Sequence, residues 1–182
     1  MLAYNQGMEK MPVVIALIAC NPPSSSSGRV KNTLIVVKNQ HIQSQWEEQF
    51  EKYAPNFRVT FCKSGTLSEL STSSDVTFIT YTIFHKFKDN VSQFLWHRIV
   101  LDPSGYYTNP TAPIVEVLCD AVHKRHGLCL IEGNLQNKYY YCIFRFLGVT
   151  HLGINDYETF KRIILARSYR GRAEGDRVIQ VS

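Results

Sequence analysis

The sequence predicts an α/β fold with a mainly parallel sheet, on the strength of two patterns. Five short β-branched or aromatic runs recur along the chain, at residues 33–37 (TLIVV), 58–62 (RVTFC), 76–80 (VTFIT), 98–102 (RIVLD) and 128–131 (LCLI). Segments of helical period separate or follow them, at 42–53, 112–124, 139–147 and 157–166. Strands that alternate with helices pair in parallel, and the helices cover both faces of the sheet.

Each element has a local reason. The runs at 33–37 and 98–102 are nearly continuous in apolar residues, as central parallel strands buried on both faces are. In the first helical segment Ile42, Trp46, Phe50 and Tyr53 fall at i, i+4, i+8 and i+11, which predicts one core-facing stripe. Residues 21–28 (NPPSSSSG) and the Ser/Thr-rich stretch 66–74 read as connectors. Residues 1–166 are expected to form a single domain. Beyond it Arg167, Arg170, Arg172 and Arg177 lie among glycine and polar residues, which predicts a solvated, flexible tail over 167–182.

Composition narrows the function classes. A chain of 182 residues suits one domain, and 45% hydrophobic with 19% charged residues excludes wholesale disorder. The net charge of +5 is compatible with a polyanionic partner without demanding one. Cys20, Cys62, Cys119, Cys129 and Cys142 are an odd set with no CxxC pair, so a reducing intracellular compartment fits better than a secreted disulfide framework. The longest apolar run, 12–20, is too short to cross a bilayer, and Glu9 offsets the Lys10 charge that a signal peptide would use. No membrane partner is expected.

Three constellations could carry chemistry. Gly7-Met8-Glu9-Lys10-Met11 precedes an apolar stretch, and only Gly7 and Lys10 have the spacing of a phosphate-binding loop, which needs glycines for backbone approach and a lysine for the terminal phosphates. Asp102 ends an apolar strand, where α/β sheets place ligands and where phosphoryl-transfer sites hold magnesium, although Asp102-Pro103 is also an ordinary turn starter. Cys119, His123, His126 and Cys129 are spaced C-x3-H-x2-H-x2-C. Cys129 falls within an apolar run that commits its side chain to packing, so zinc is not expected there.

Taken in order, the segments resemble a known family. TLIVV, QWEEQFEKYAPNFRV, DVTFITY, WHRIVLD, the N-x-T at Asn109 to Thr111, LQN at Leu135 to Asn137, and IFRFLGV follow one another as in the first lobe of the Snf-type DNA translocases, the chromatin-remodelling and repair ATPases of helicase superfamily two. The resemblance runs from Leu2 to about Phe160 and looks most like the fungal repair branch. It implies a RecA-like, three-layer α/β/α lobe with a P-loop, here incomplete at its N-terminal edge because the strand before the phosphate loop is expected to be missing.

The departures from the family matter as much as the matches. Where the family reads roughly LADEMGLGKT, this chain reads LAYNQGMEKM, so Glu9 replaces a glycine and Met11 replaces the magnesium-binding threonine. The DEAH box becomes Asp102-Pro103-Ser104-Gly105, and LTGTPIQN becomes LIEGNLQN. Lys38 and Asn39 stand where the family carries a proline after TLIVV. A carboxylate about 4 Å from a phosphate oxygen costs on the order of 4 kcal/mol at an effective dielectric near 20, so Glu9 opposes ATP unless it turns outward. Loss of a positioned general base costs roughly 10²–10⁴ in rate, and loss of an arginine finger from the second lobe roughly 10³–10⁵.

What the resemblance implies is a nuclear lobe that hydrolyses no ATP alone. It keeps weak ATP and magnesium contact through Gly7, Lys10 and Asp102, and sequence-independent DNA contact near Thr80, Tyr81, Gln136 and Asn137. The alternatives are half of an ATPase completed by a second lobe on a partner chain, and an eroded protein-interaction module.

Overall fold

The computed structural model describes residues 2–4, 9–23, 30–71, 73–102, 118–119, 122–132, 137–149 and 156–163. Six strands make one sheet: β1 (Leu2–Tyr4), β2 (Val30–Val37), β3 (Val59–Phe61), β4 (Val76–Thr80), β5 (Leu95–Asp102) and β6 (Lys124–Glu132). Their order is β1-β6-β5-β2-β4-β3, and every pairing is parallel. All five expected strands form, with β2, β5 and β6 starting three or four residues earlier because pairing with a neighbour extends a strand past its most apolar run.

The strand expected to be missing before the phosphate loop is present. Leu2 to Tyr4 pair with Leu130 to Glu132, so the sheet is extended on the side where it was expected to be incomplete. The apolar run at 12–20 belongs to α1 (Lys10–Cys20). The next helices are α2 (Gln40–Tyr53), α3 (Leu67–Ser71), α4 (Tyr81–Lys86), α5 (Lys88–Ser92) and α6 (Asn137–Phe146). Residues 157–163 are also helical.

Two apolar clusters, one on each face of the sheet, hold the layers. Val14, Ile15 and Ile18 of α1 and Trp46 and Phe50 of α2 pack on Ile35, Val37, Phe78 and Val100. On the other face Phe84, Val91, Tyr141, Ile143, Phe146 and Phe160 pack on Leu34, Val36, Ile79, Ile99, Leu101 and Ile131. The alternation of Leu34 and Val36 against Ile35 and Val37 follows from the two-residue period of a strand. It explains why β2 reads as continuously apolar.

Three helical expectations need correction. The stripe on α2 stops at Phe50, because Tyr53, the last residue of the helix, is 45% exposed. The connector at 66–74 contains α3. Lys124 opens β6 instead of ending a helix over 112–124; Leu118 and Cys119 are helical, and 112–117 lie outside the described residues. The tail over 167–182 also lies outside them.

Candidate nucleotide site at the strand ends

Helix α1 begins at Lys10, and β5 ends at Asp102, at the C-terminal edge of the sheet. This places a lysine at the start of a helix opposite a carboxylate at the end of a central strand. The two side chains meet: Lys10 Nζ donates to Asp102 Oδ1 at 2.5 Å. The second carboxylate oxygen, Oδ2, accepts from the indole Nε1 of Trp46 at 2.8 Å. Asp102 is fully buried, while the Lys10 side chain is 14% exposed. A buried carboxylate must be paired and hydrogen-bonded, and here both oxygens are.

The described residues beside the pair bear on what it can hold. Glu9, at the N-cap of α1, is solvent-exposed and makes no side-chain cap. It therefore turns outward, where water screens its repulsion of an anion. Met11 packs against the α1–α2 apolar cluster, so its side chain supplies packing where the family has a hydroxyl. Magnesium takes hard oxygen ligands in octahedral geometry. Among the described residues the site offers one carboxylate, with both oxygens engaged by N–H donors. Gly7, Pro103 and Gln136 lie outside the described residues.

Thr80 and Tyr81 form the corner between β4 and α4. The Thr80 hydroxyl accepts from Ile83 N at 3.4 Å as the α4 N-cap, and Tyr81 is buried in the core cluster. Their side chains shape the corner from inside. Asn137 opens α6, so it sits where the loop after β6 becomes helix. The structure brings Lys10 and Asp102 together and leaves the 80–81 corner at the same edge of the sheet, since Val37 pairs with both Thr80 and Asp102.

The zinc spacing gathers no site. Among the described residues no three His, Cys, Asp or Glu side chains group to hold a metal. Cys129 is buried in the core and burial pushes its thiol up to about 12, while His123 and His126 are exposed.

Two features escaped the sequence. Trp46 reads as one more core residue of a helical stripe, and nothing in its spacing reveals that its N–H meets Asp102. Asn39, one of the departures from the family, accepts from Ile42 N at 3.1 Å and caps α2. Its type, followed by a helical pattern, was the signal.

At the opposite end of β5 the chain closes on α1. The carbonyl of Asn21, the C-cap of α1, accepts from Arg98 Nη2 at 3.1 Å and from His97 Nε2 at 3.2 Å. Arg98 Nη1 also donates to Thr33 Oγ1 at 3.2 Å. The guanidinium suits the negative end of the helix. His97 Nδ1 is buried and has no partner among the described residues, and burial first, then the charge of Arg98, hold its pKa below the ordinary 6.5 against the opposing bond to Asn21.

With this geometry in place, comparison with known proteins decides the family. The model of the SNF2-related domain matches residues 1–179. This chain belongs to the SNF2-related family. Its SNF2 relatives include DNA excision repair protein ERCC-6 of Homo sapiens, 22% identical over 152 residues, and that of Mus musculus, 24% identical over 152. Each alignment takes in 75% of this chain and 10% of the relative, so the chain spans about a tenth of those proteins. The Sulfolobus solfataricus SWI2/SNF2 ATPase core in complex with dsDNA superposes at a TM-score of 0.76 and 20% identity, over 93% of this chain and 35% of that one. The SWI2/SNF2 ATPase core domain of the same organism gives 0.70 at 18% identity, over 94% and 35%. The SNF2 chain described here thus has the RecA-like fold of those cores.

Proposed function

We propose that this chain is the first lobe of an SNF2-type translocase of DNA repair or chromatin remodelling, a lobe that contacts DNA and does not hydrolyse ATP by itself. The observation that carries the reading is the closed Lys10–Asp102–Trp46 arrangement. Lys10 is the lysine that would reach phosphates, and it is spent on the carboxylate that would face magnesium. ATP must break a buried ion pair to recruit it, and Pro103 follows where a catalytic carboxylate would stand. Nucleotide contact through Gly7 and Lys10 is therefore weak.

DNA contact is the retained role in this reading. It is supported by the net charge of +5 and by the likeness to a core whose solved form holds duplex DNA. Since Thr80 and Tyr81 are buried, contact at that corner falls to its backbone; Gln136 and Asn137 are the other residues proposed to meet DNA. A nuclear location goes with the same reading. Among the described residues no helix is long and apolar enough to cross a membrane.

Thermal unfolding with ATP and magnesium tests the proposal. Binding in the millimolar range gives about 0.4 kcal/mol when ligand equals its dissociation constant, and still less at sub-millimolar ATP. A melting shift of several degrees at sub-millimolar ATP overturns it. A second reading, in which a partner chain supplies the second lobe and completes an ATPase, requires that lobe to open the Lys10–Asp102 pair. ATP turnover that appears only on mixing with such a lobe distinguishes the two.

A further inference from the structure

We propose that the cleft between α2 and β3 is a docking site for an extended peptide of a partner protein, one carrying an apolar residue beside lysine or arginine. This proposal stands independently of the nucleotide reading. The cleft has a volume of about 270 Å³ and is walled by Glu47 and Glu51 of α2 over a floor that includes Phe50, Phe57, Val59 and Phe61.

Three independent features converge on that occupant. The first is charge. Glu47 and Glu51 lie one helical turn apart, both are exposed, and neither has a hydrogen bond or ion pair among the described residues. Like charges at i and i+4 disfavour a helix mildly, and the pair stands on a chain whose net charge is +5. A cationic side chain from outside relieves that repulsion, whereas nucleic acid would add to it.

The second feature is a preorganised apolar floor. Phe61 stacks on buried Phe78 with ring centroids 5.2 Å apart, and Phe57 lies 6.1 Å from Phe50. The rings are fixed by the core, so an apolar side chain entering the cleft has no floor to order on binding. Phe57, Val59 and Phe61 remain partly exposed for it to cover.

The third is the open edge. Strand β3 ends the sheet and pairs, among the described residues, with β4 alone. An extended segment laid along that edge gains main-chain hydrogen bonds and sends alternate side chains over the floor, beside the α2 carboxylates.

The test uses fluorescence anisotropy with a labelled peptide, Gly-Lys-Val-Lys-Leu-Arg-Gly, and a twin in which glutamate replaces each basic residue. The basic peptide is expected to bind saturably and the acidic twin at least about tenfold more weakly. The double variant Glu47→Lys/Glu51→Lys changes only exposed positions, and its circular dichroism is expected to match the parent. It should lose the basic peptide by at least about tenfold, and Glu47→Gln/Glu51→Gln should lose it by less. Failure of the parent to bind the basic peptide up to millimolar concentration overturns the proposal. So does equal binding by the charge-reversed variant, which would assign the peptide to another surface.

Discussion

Asp102 shows how one buried carboxylate ties two helices to the end of a central strand. Its carboxylate is out of water, and Lys10 and Trp46 supply donors to both oxygens. Removing one partner of a buried pair leaves the other charge uncompensated, at about 3–5 kcal/mol, whereas replacing both with apolar groups is often nearly neutral. Lys10→Met is therefore expected to destabilise the lobe by about 3–5 kcal/mol in urea unfolding. The double variant Lys10→Met/Asp102→Leu should recover most of that loss. If it is as unstable as the single variant, the pair is not the unit described here. The same logic bears on catalysis. Pro103→Glu restores the family's second carboxylate but not the loop glycine at Glu9 or the hydroxyl at Met11, and components that act as a unit are not additive. Phosphate release by that variant is expected to stay at the level of the parent chain. An increase would mean the site lacked only the one carboxylate.

At the scale of elements, the junction of β5 with α1 has a predictable response to pH. The Asn21 carbonyl only accepts, so His97 Nε2 carries the proton and bare Nδ1 is the buried, unpartnered nitrogen. Burial disfavours the charged ring, and Arg98, His126 and Arg125 add repulsion, which is why the folded pKa is depressed. In the window below 6.5 the unfolded chain binds more protons than the folded one, so stability falls as pH falls and levels off beneath the folded value. His97→Gln keeps a donor for Asn21 and is expected to flatten that slope in melts between pH 7.5 and about 5. An unchanged slope would place the titration elsewhere.

The same elements show what the sequence could reveal. The runs TLIVV, VTFIT and RIVLD were legible as strands because they are short and rich in β-branched residues, even though burial on both faces erases the two-residue period. Lys10 and Asp102 were legible as site candidates by type and position, one before an apolar helix and one at a strand end. Their contact was not, because it joins positions 92 residues apart through the closure of the sheet. Leu2 to Tyr4 went unread as a strand since three residues carry too little periodicity, and only pairing with β6 makes them one. Tyr53 misled because its spacing fits the stripe, yet it ends α2 and stays 45% exposed.

For the whole molecule the testable quantity is the salt dependence of DNA binding. A single lobe that neutralises a few phosphates should give a slope of log K against log salt of roughly −2 to −4, without sequence preference. Arg167, Arg170, Arg172 and Arg177 are a rival source of the same attraction. Titration of duplex DNA with the full chain and with one ending at Ala166 separates them. Binding retained by the shorter chain assigns it to the lobe, and complete loss assigns it to the tail. Absence of binding by the full chain even at low salt removes the DNA role altogether.

The pairing of β1 with β6 has a consequence for how the molecule comes to exist. Leu2 must find Leu130, and Tyr4 must find Glu132, before the strand that leads to Gly7 and Lys10 is held in place. Contacts so distant in sequence are slow to form, because the loop entropy is lost before the contact rewards it. On the ribosome the residues of β1 emerge before those of β6 and wait for more than a hundred others. A nascent chain stopped before residue 124 has no β6 for β1 to join.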